Sequence, residues 1–392
     1  MTSQIQYSAI NSGIKKNNKL DLSLIKLPLN SKCVGAWTLN KFCAAPVVVA
    51  KEHIKKQNPK FLLINSGNAN AGTGIQGIKD AIDSCEKLAK ITGCKTTEIL
   101  PFSTGVIGQK LPIQKMTKAL PDLIQKLDQS NLKDVAEAIL TTDTTTKIIQ
   151  NTIEYNNKKI KIWGFCKGSG MIEPNMATML AYVFIDADIQ HNDLQILLKN
   201  AVNLSFNKIT VDGDTSTNDA CILVCTGNKE NTINTDDLEN KEFLSQFNNS
   251  FIELAKKIIY DGEGATKFIT INVKNAKTTQ DADIVARSVA KSSLVKTAFF
   301  ASDANWGRIL SAVGNAKIDN LEIDKTNIFL DNQELIINGE LSPNYTEKKG
   351  EKIMQQKAIT INIDLQNGTK TCTIFSCDLS YDYIKINAEY RT

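Results

Sequence analysis

Lys167-Gly-Ser-Gly-Met-Ile-Glu-Pro-Asn-Met-Ala-Thr-Met-Leu180 runs without a break into the apolar segment Ala181 to Ile185. Gly168, Gly170 and Pro174 impose a sharp approach that delivers a lone Thr178 to the first position of a buried strand. A threonine that starts a strand is most often a packing residue. This approach instead suits a nucleophile exposed by breaking the Ala177–Thr178 peptide bond. An N-terminal Thr carries its own general base, because an α-amino group has an unperturbed pKa of about 7.7–8.0. No His or Asp partner is then required.

Around this stretch, strands and helices are interspersed. Pro59 to Ile64 reads as a buried strand emptying into a Gly/Asn-rich loop. The next segment sets Ile78, Ala81, Ile82, Cys85, Leu88 and Ala89 on one helical face, with Gly93 as the stop. Glu98 to Phe102 is a short strand leading into Ser103-Thr-Gly105. Helices are expected at 113–127, 130–140, 193–206, 236–260, 281–292 and 304–313. A hairpin turns at Asn156-Asn157, and strands are expected at 178–186, 219–226 and Phe268 to Val273. Beyond residue 318 short alternating strands follow: Ile328 to Leu330, Glu334 to Ile337, Ala358 to Leu365, Thr371 to Phe375 and Tyr383 to Ile386. The pattern predicts a layered α+β architecture, with a main domain over 1–280 and a smaller, strand-rich C-terminal domain over 281–392.

Composition narrows the functional classes. The 392 residues are 42% apolar and 22% charged, as in an ordinary globular protein. The net charge of +4 comes from 46 basic and 42 acidic residues scattered along the chain, with no basic block interleaved with aromatics. A nucleic-acid partner has little support. The first twenty residues lack the apolar core of a secretory leader, and no apolar run reaches membrane-spanning length, so a cytoplasmic protein without membrane contact is expected. The nine Cys show no disulfide or zinc spacing and read as buried free thiols. His53 and His191 are the only histidines. A Ser-His-Asp hydrolase is disfavoured on that ground, and no phosphate-binding Gly-rich motif follows a strand.

The chain resembles the ornithine acetyltransferase (glutamate N-acetyltransferase) family of arginine biosynthesis. The resemblance is carried by Asn65-Ser-Gly-Asn-Ala-Asn-Ala71, Ser103-Thr-Gly-Val-Ile-Gly108, Thr141-Thr-Asp143, the Lys167–Leu180 stretch and Val211-Asp-Gly-Asp-Thr-Ser-Thr-Asn-Asp219. It continues through Asp261-Gly-Glu-Gly-Ala-Thr-Lys267, Ser293-Leu-Val-Lys-Thr-Ala298, Asp303-Ala-Asn-Trp-Gly-Arg308 and Asn387-Ala-Glu-Tyr-Arg-Thr392. Three positions depart from the family pattern: Ser169 for Ala, Ala301 for Gly, and no Thr before Asp186. They touch loop geometry and remove no reactive group.

The resemblance implies an αββα sandwich that cuts itself between Ala177 and Thr178 into chains 1–177 and 178–392. Thr178 would then take an acetyl group from N-acetylornithine and pass it to glutamate. Thr104 and Gly105 would form the oxyanion hole. Thr141, Lys167, Thr178, Glu263, Asn387 and Thr392 would bind substrate, although the Thr-rich run leaves Thr141 and Thr142 as alternatives. The tail 387–392 would return to the active site. A heterotetramer of two α and two β chains, no cofactor, and acetyl-CoA as a conceivable second acetyl donor complete the expectation. An amidohydrolase or aminopeptidase using the same self-processed Thr is the rival reading.

Overall fold

Strands Leu180–Ile185 and Ala220–Cys225 are apolar at every position because both of their faces are covered. They pair in parallel, Leu180 opposite Ala220 and Ile185 opposite Cys225. They form the centre of a five-stranded sheet ordered Lys32–Trp37, Ala220–Cys225, Leu180–Ile185, Lys158–Lys167, Lys147–Tyr155. A second sheet has four strands, ordered Gln6–Ile10, Leu22–Lys26, Phe61–Asn68, Ile99–Val106. Tyr182, Phe184, Ile222 and Val224 of the first sheet share one core with Leu62, Ile64, Leu100 and Phe102 of the second. The computed structural model describes residues 5–16, 18–173, 179–319 and 321–389. Ala177, Thr178 and Thr392 lie outside these described residues.

Helices cover the outer faces. Gly74–Thr92 and Ile113–Gln125 bring Cys85, Leu88, Met116 and Leu120 onto Leu63 and Ile99 of the four-stranded sheet. On the five-stranded sheet, helix Lys241–Tyr260 sets Phe243 5.4 Å from the Tyr155 ring, and Cys166 Sγ donates to the Leu254 carbonyl at 3.7 Å. The layers therefore run helix, sheet, sheet, helix, which is the αββα sandwich expected. The hairpin joining Lys147–Tyr155 to Lys158–Lys167 turns at Asn156 and Asn157, whose φ of 48° and 60° suit a two-residue turn of the primed type.

The sandwich belongs to one compact unit, Met1–Asn207 with Asp214–Ile258. The second unit comprises Lys208–Gly213 with Ile259–Thr392. Its sheet is ordered Glu340–Leu341, Gln333–Ile337, Asn327–Leu330, Ala358–Asp364, Phe268–Ala276, Lys370–Cys377. Helices Thr279–Ala290 and Trp306–Gly314 lay Val285, Val289, Ile309 and Val313 on it. The boundary thus falls before the position near 280 read from the sequence. The reason is Phe268–Ala276, which pairs with Ala358–Asp364 and Lys370–Cys377 and so belongs to the later sheet.

The expected strand Tyr383 to Ile386 is instead part of helix Tyr381–Ala388. Ser380 caps it, its hydroxyl accepting from Tyr383 N–H, and side-chain caps of this kind satisfy donors that a helix start leaves free. Helices Ala45–Lys56, Ser293–Phe300 and Glu347–Met354 were not expected. All nine cysteines are free. Among the described residues no helix is long and apolar enough to cross a membrane.

Candidate active site

Lys167, the last residue of strand Lys158–Lys167, gathers three side chains from distant parts of the first unit. Its Nζ donates to Thr141 Oγ1 at 2.8 Å and to Thr104 Oγ1 at 3.4 Å, and lies 3.8 Å from Asp143 Oδ2. The strand partner of Lys167 is Leu180, two residues beyond Thr178 in the chain. Three of the expected site residues therefore meet beside the start of the central strand. Of the two alternatives in the Thr-rich run, Thr141 is the one that Lys167 holds.

Thr104 and Gly105 end strand Ile99–Val106, paired with Ser66 and Gly67. Gly105 has φ of 129°, and a Cβ there would come within 2.4 Å of the Gly67 carbonyl carbon, so a side chain is excluded on both counts. The loop is fixed by its own amides. Ser103 donates to Asn65 Oδ1 at 2.6 Å, and Asn218 Nδ2 donates to the Ala69 and Ser103 carbonyls at 2.6 and 2.9 Å. These bonds give a physical role to the Asn-rich loop and to the Asn of Thr-Asn-Asp219.

The polarity of the Lys167–Thr104 contact decides what Thr104 can do. An ammonium has only donors, whereas a hydroxyl has one donor and two lone pairs. Thr104 Oγ1 must accept from Lys167, which leaves its own hydrogen to donate to a ligand atom. The cation also polarises that O–H bond.

Asp143 is a hub that the sequence reading passed over. Its side chain is fully buried and accepts from Lys147 Nζ at 2.7 Å, Gly168 N–H at 2.7 Å and Thr141 N–H at 3.1 Å. Burial alone would raise its pKa. Lys167, Lys147 and the Gly168 N–H more than offset this and hold the carboxyl well below the usual carboxylate range. One signal was available, a Lys four residues after an Asp, but that spacing is common on solvated turns.

Asp143→Asn should cost about 3–5 kcal/mol in urea unfolding at pH 7, because the buried Lys147 ammonium and the partly buried Lys167 ammonium lose their counter-charge. The sign of the pH effect follows from the depressed pKa. The stabilisation is complete above pH of about 4 and is lost as pH falls toward the folded-state value. Unfolding free energies measured between pH 5 and pH 2 should therefore fall more steeply for the native protein than for Asp143→Asn.

A second lysine was likewise missed. Lys15 Nζ donates to the Leu20 and Ala138 carbonyls at 2.9 and 3.0 Å. Burial lowers its pKa to about 8, opposed by Asp21, with repulsion from Lys167 adding to the lowering.

In the second unit, Glu263 is buried and its Oε2 accepts from Asn387 Nδ2 at 2.8 Å. Gly264 has φ of 67°, and a Cβ on it would meet Tyr383 N at 2.5 Å, so helix Tyr381–Ala388 packs directly on the Gly-Glu-Gly turn. Ser380 Oγ adds a 2.6 Å bond to the Gly264 carbonyl. Glu263 and Asn387 are thus brought together, each by its own backbone anchor. His53 is not part of a triad: it is buried, with Nδ1 2.7 Å from the Ile99 carbonyl oxygen.

An αββα sandwich whose strand ends join a polarised hydroxyl, a Gly without room for a side chain and a partly buried cation has the parts for acyl chemistry. The sequence pattern of the ArgJ family matches residues 6–392, and the chain belongs to that family. It is 47% identical over 382 residues to the arginine biosynthesis bifunctional protein ArgJ of Methylococcus capsulatus, covering 97% of this chain and 93% of that one. It is 46% identical over 391 residues to the protein of the same description from Psychrobacter arcticus, covering 99% and 96%. A crystal structure of arginine biosynthesis bifunctional protein ArgJ from Bacillus halodurans matches with a TM-score of 0.50 and 36% identity. It covers 54% of this chain and 99% of its own.

Proposed function

We propose that this chain is an acetyltransferase of arginine biosynthesis that moves the acetyl group of N-acetylornithine to glutamate through an acetyl-Thr178 intermediate. The observation that carries the reading is the convergence of Thr104 and Thr141 on Lys167, the residue that pairs with Leu180. Family membership over residues 6–392 supports the pathway, since the relatives are described as arginine biosynthesis proteins.

Self-cleavage at Ala177–Thr178 comes first in this proposal. A fragment 178–392 is 215 of the 392 residues, close to the 54% of this chain that the almost fully matched Bacillus halodurans chain spans. The Thr178 amine then serves as general base for its own hydroxyl. As Oγ attacks the acetyl carbonyl, negative charge grows on the carbonyl oxygen, where the Thr104 hydroxyl and Gly105 N–H donate. Lys167 contacts a substrate carboxylate, Glu263 binds an α-ammonium group, and Thr141, Asn387 and Thr392 are further substrate contacts. No cofactor is needed, acetyl-CoA is a second donor to be assayed, and two α and two β chains assemble as a cytoplasmic heterotetramer.

The choice of transferase over hydrolase is testable by the acceptor. With N-acetylornithine alone, ornithine release should stop after about one equivalent per site and then continue slowly, because water is a poor acceptor. Glutamate should restore rapid turnover, with equal N-acetylglutamate formed and parallel double-reciprocal plots. Equally fast ornithine release without glutamate would make the protein an amidohydrolase.

A further inference from the structure

Strand Lys32–Trp37 is the outer strand of the five-stranded sheet, paired on one side with Ala220–Cys225. In an antiparallel ladder alternate residues turn both N–H and C=O toward the partner, and the others turn both away. Cys33 N–H donates to Asn58 Oδ1 at 2.9 Å, so Cys33 faces away from the ladder, and Gly35, two residues on, does the same. The partner strand agrees. Ala220 gives its N–H to Met179 and Thr226 gives its own to Ile185, each at 3.0 Å, so Ile222, which stands opposite Gly35, also turns to the far side. Asn58 shows what this edge accepts. Its Nδ2 donates to the Ser31 carbonyl at 2.7 Å, so an amide group already lies on the edge one step before Gly35.

Gly35 opens into a cleft of about 360 Å³ lined from helices Ala45–Lys56 and His191–Leu204. Val34, Trp37 and Ile54 give it apolar walls. A Cβ on Gly35 would meet the Trp37 ring at 2.4 Å, so the ring lies over the bare strand, and a glycine in a strand leaves room for close approach. Lys51, Lys55 and His191 supply nitrogen groups, and no acid is among the described residues that line the cleft. Lys51 Nζ donates to the Thr38 carbonyl at a long 3.4 Å, and Lys55 pairs with Glu52 at 3.1 Å on the exposed surface. Both bonds are weak and leave the ammonium groups available. The volume suits a small molecule.

We propose that this cleft binds a small N-acylated amino acid, seated opposite Gly35 as a residue of a neighbouring strand would be. The ligand's amide N–H donates to the Gly35 carbonyl, and its α-carboxylate accepts from the Gly35 N–H. Lys51 and Lys55 attract the carboxylate, and the acyl group lies on Trp37 and Ile54. A free amino acid offers the same two bonds, but its ammonium would face two lysines, so acylation of the nitrogen selects the ligand. None of these residues belongs to the group around Lys167, so this is a second site.

The chain has three tryptophans, so protein labelled with 5-fluorotryptophan gives three ¹⁹F signals, and Trp37→Phe identifies the one from the cleft. N-acetylglutamate should move that signal saturably, with a dissociation constant of about 1 mM, the scale reached by a ligand of this size. Glutamate should bind at least about 10-fold more weakly. Lys51→Ala combined with Lys55→Ala should weaken N-acetylglutamate about 10-fold and leave kcat for acetyl transfer native. This variant also separates the cleft from the active site, because Trp37 stacks on Phe102 in the strand that carries Thr104. A Trp37 signal that N-acetylglutamate does not move overturns the proposal, as does a shift equal in the double variant or an equal affinity for glutamate. A signal that follows protein concentration and ignores the ligand also overturns it, and would give the edge to a second copy of this chain.

Discussion

Thr178→Ala is expected to give a single 392-residue chain that transfers no measurable acetyl group, where the native protein should give chains of 177 and 215 residues. One substitution removes two functions because both need the same oxygen. In the proposed mechanism that oxygen attacks the Ala177 carbonyl carbon in the precursor and the acetyl carbonyl in the mature enzyme. The base of the second step is created by the first, as the α-amine exists only after cleavage. Removing a covalent nucleophile costs catalysis at least about 10⁴-fold, since the remaining groups cannot open an alternative covalent route. N-terminal sequencing of the native larger chain should begin Thr178-Met179-Leu180. A Thr178→Ala protein found cut at the same bond would mean that an outside protease makes the cut. Thr178→Ser, which keeps a hydroxyl, should still cleave.

The layered α+β architecture was legible where burial leaves a pattern in the residues, whereas the αββα sandwich was named through the resemblance. Leu180–Ile185 and Ala220–Cys225 have no polar face, and a strand of that kind belongs between two layers. The helix at Tyr381–Ala388 was not legible. Its Tyr383, Ile384 and Ile386 suit a strand as well as a helix, and the deciding bond is a cap from Ser380. Thr104, Thr141 and Lys167 were named through resemblance. No spacing in the sequence reveals that residues 63 and 26 positions from Lys167 share one ammonium group. Asp143 illustrates the same limit more sharply. In the run Thr-Thr-Asp-Thr-Thr-Thr146 it reads as a solvated turn, and its burial depends on Lys147, Lys167 and Gly168 closing over it. Glu263 and Asn387 were likewise named separately, and only the fold shows them bonded to each other.

Thr104→Ala should lower kcat for acetyl transfer by about 10²–10³-fold, equivalent to about 2.7–4 kcal/mol of barrier. The KM for N-acetylornithine should stay within a few-fold of native, because the ground-state carbonyl oxygen bears little charge and gains little from the donor. The Lys167 contact sharpens this expectation. Lys167 occupies a lone pair of Thr104 Oγ1, so the hydroxyl hydrogen is free to point at the growing oxyanion. The substitution also removes one of the two hydroxyls that Lys167 holds, while Thr141 and Asp143 still position its ammonium. Substrate binding through Lys167 should therefore survive, and the loss should fall on the chemical step. Thr104→Ser keeps the hydroxyl and should recover most of the rate, which an effect of side-chain bulk would not allow. Burst kinetics with N-acetylornithine alone give the acetylation step directly, and the Ala variant should slow that burst by the same factor as kcat. If Thr104→Ala instead raises KM strongly and leaves the burst rate native, the hydroxyl acts on the bound substrate and the oxyanion donor must be sought elsewhere on the Gly105 strand end.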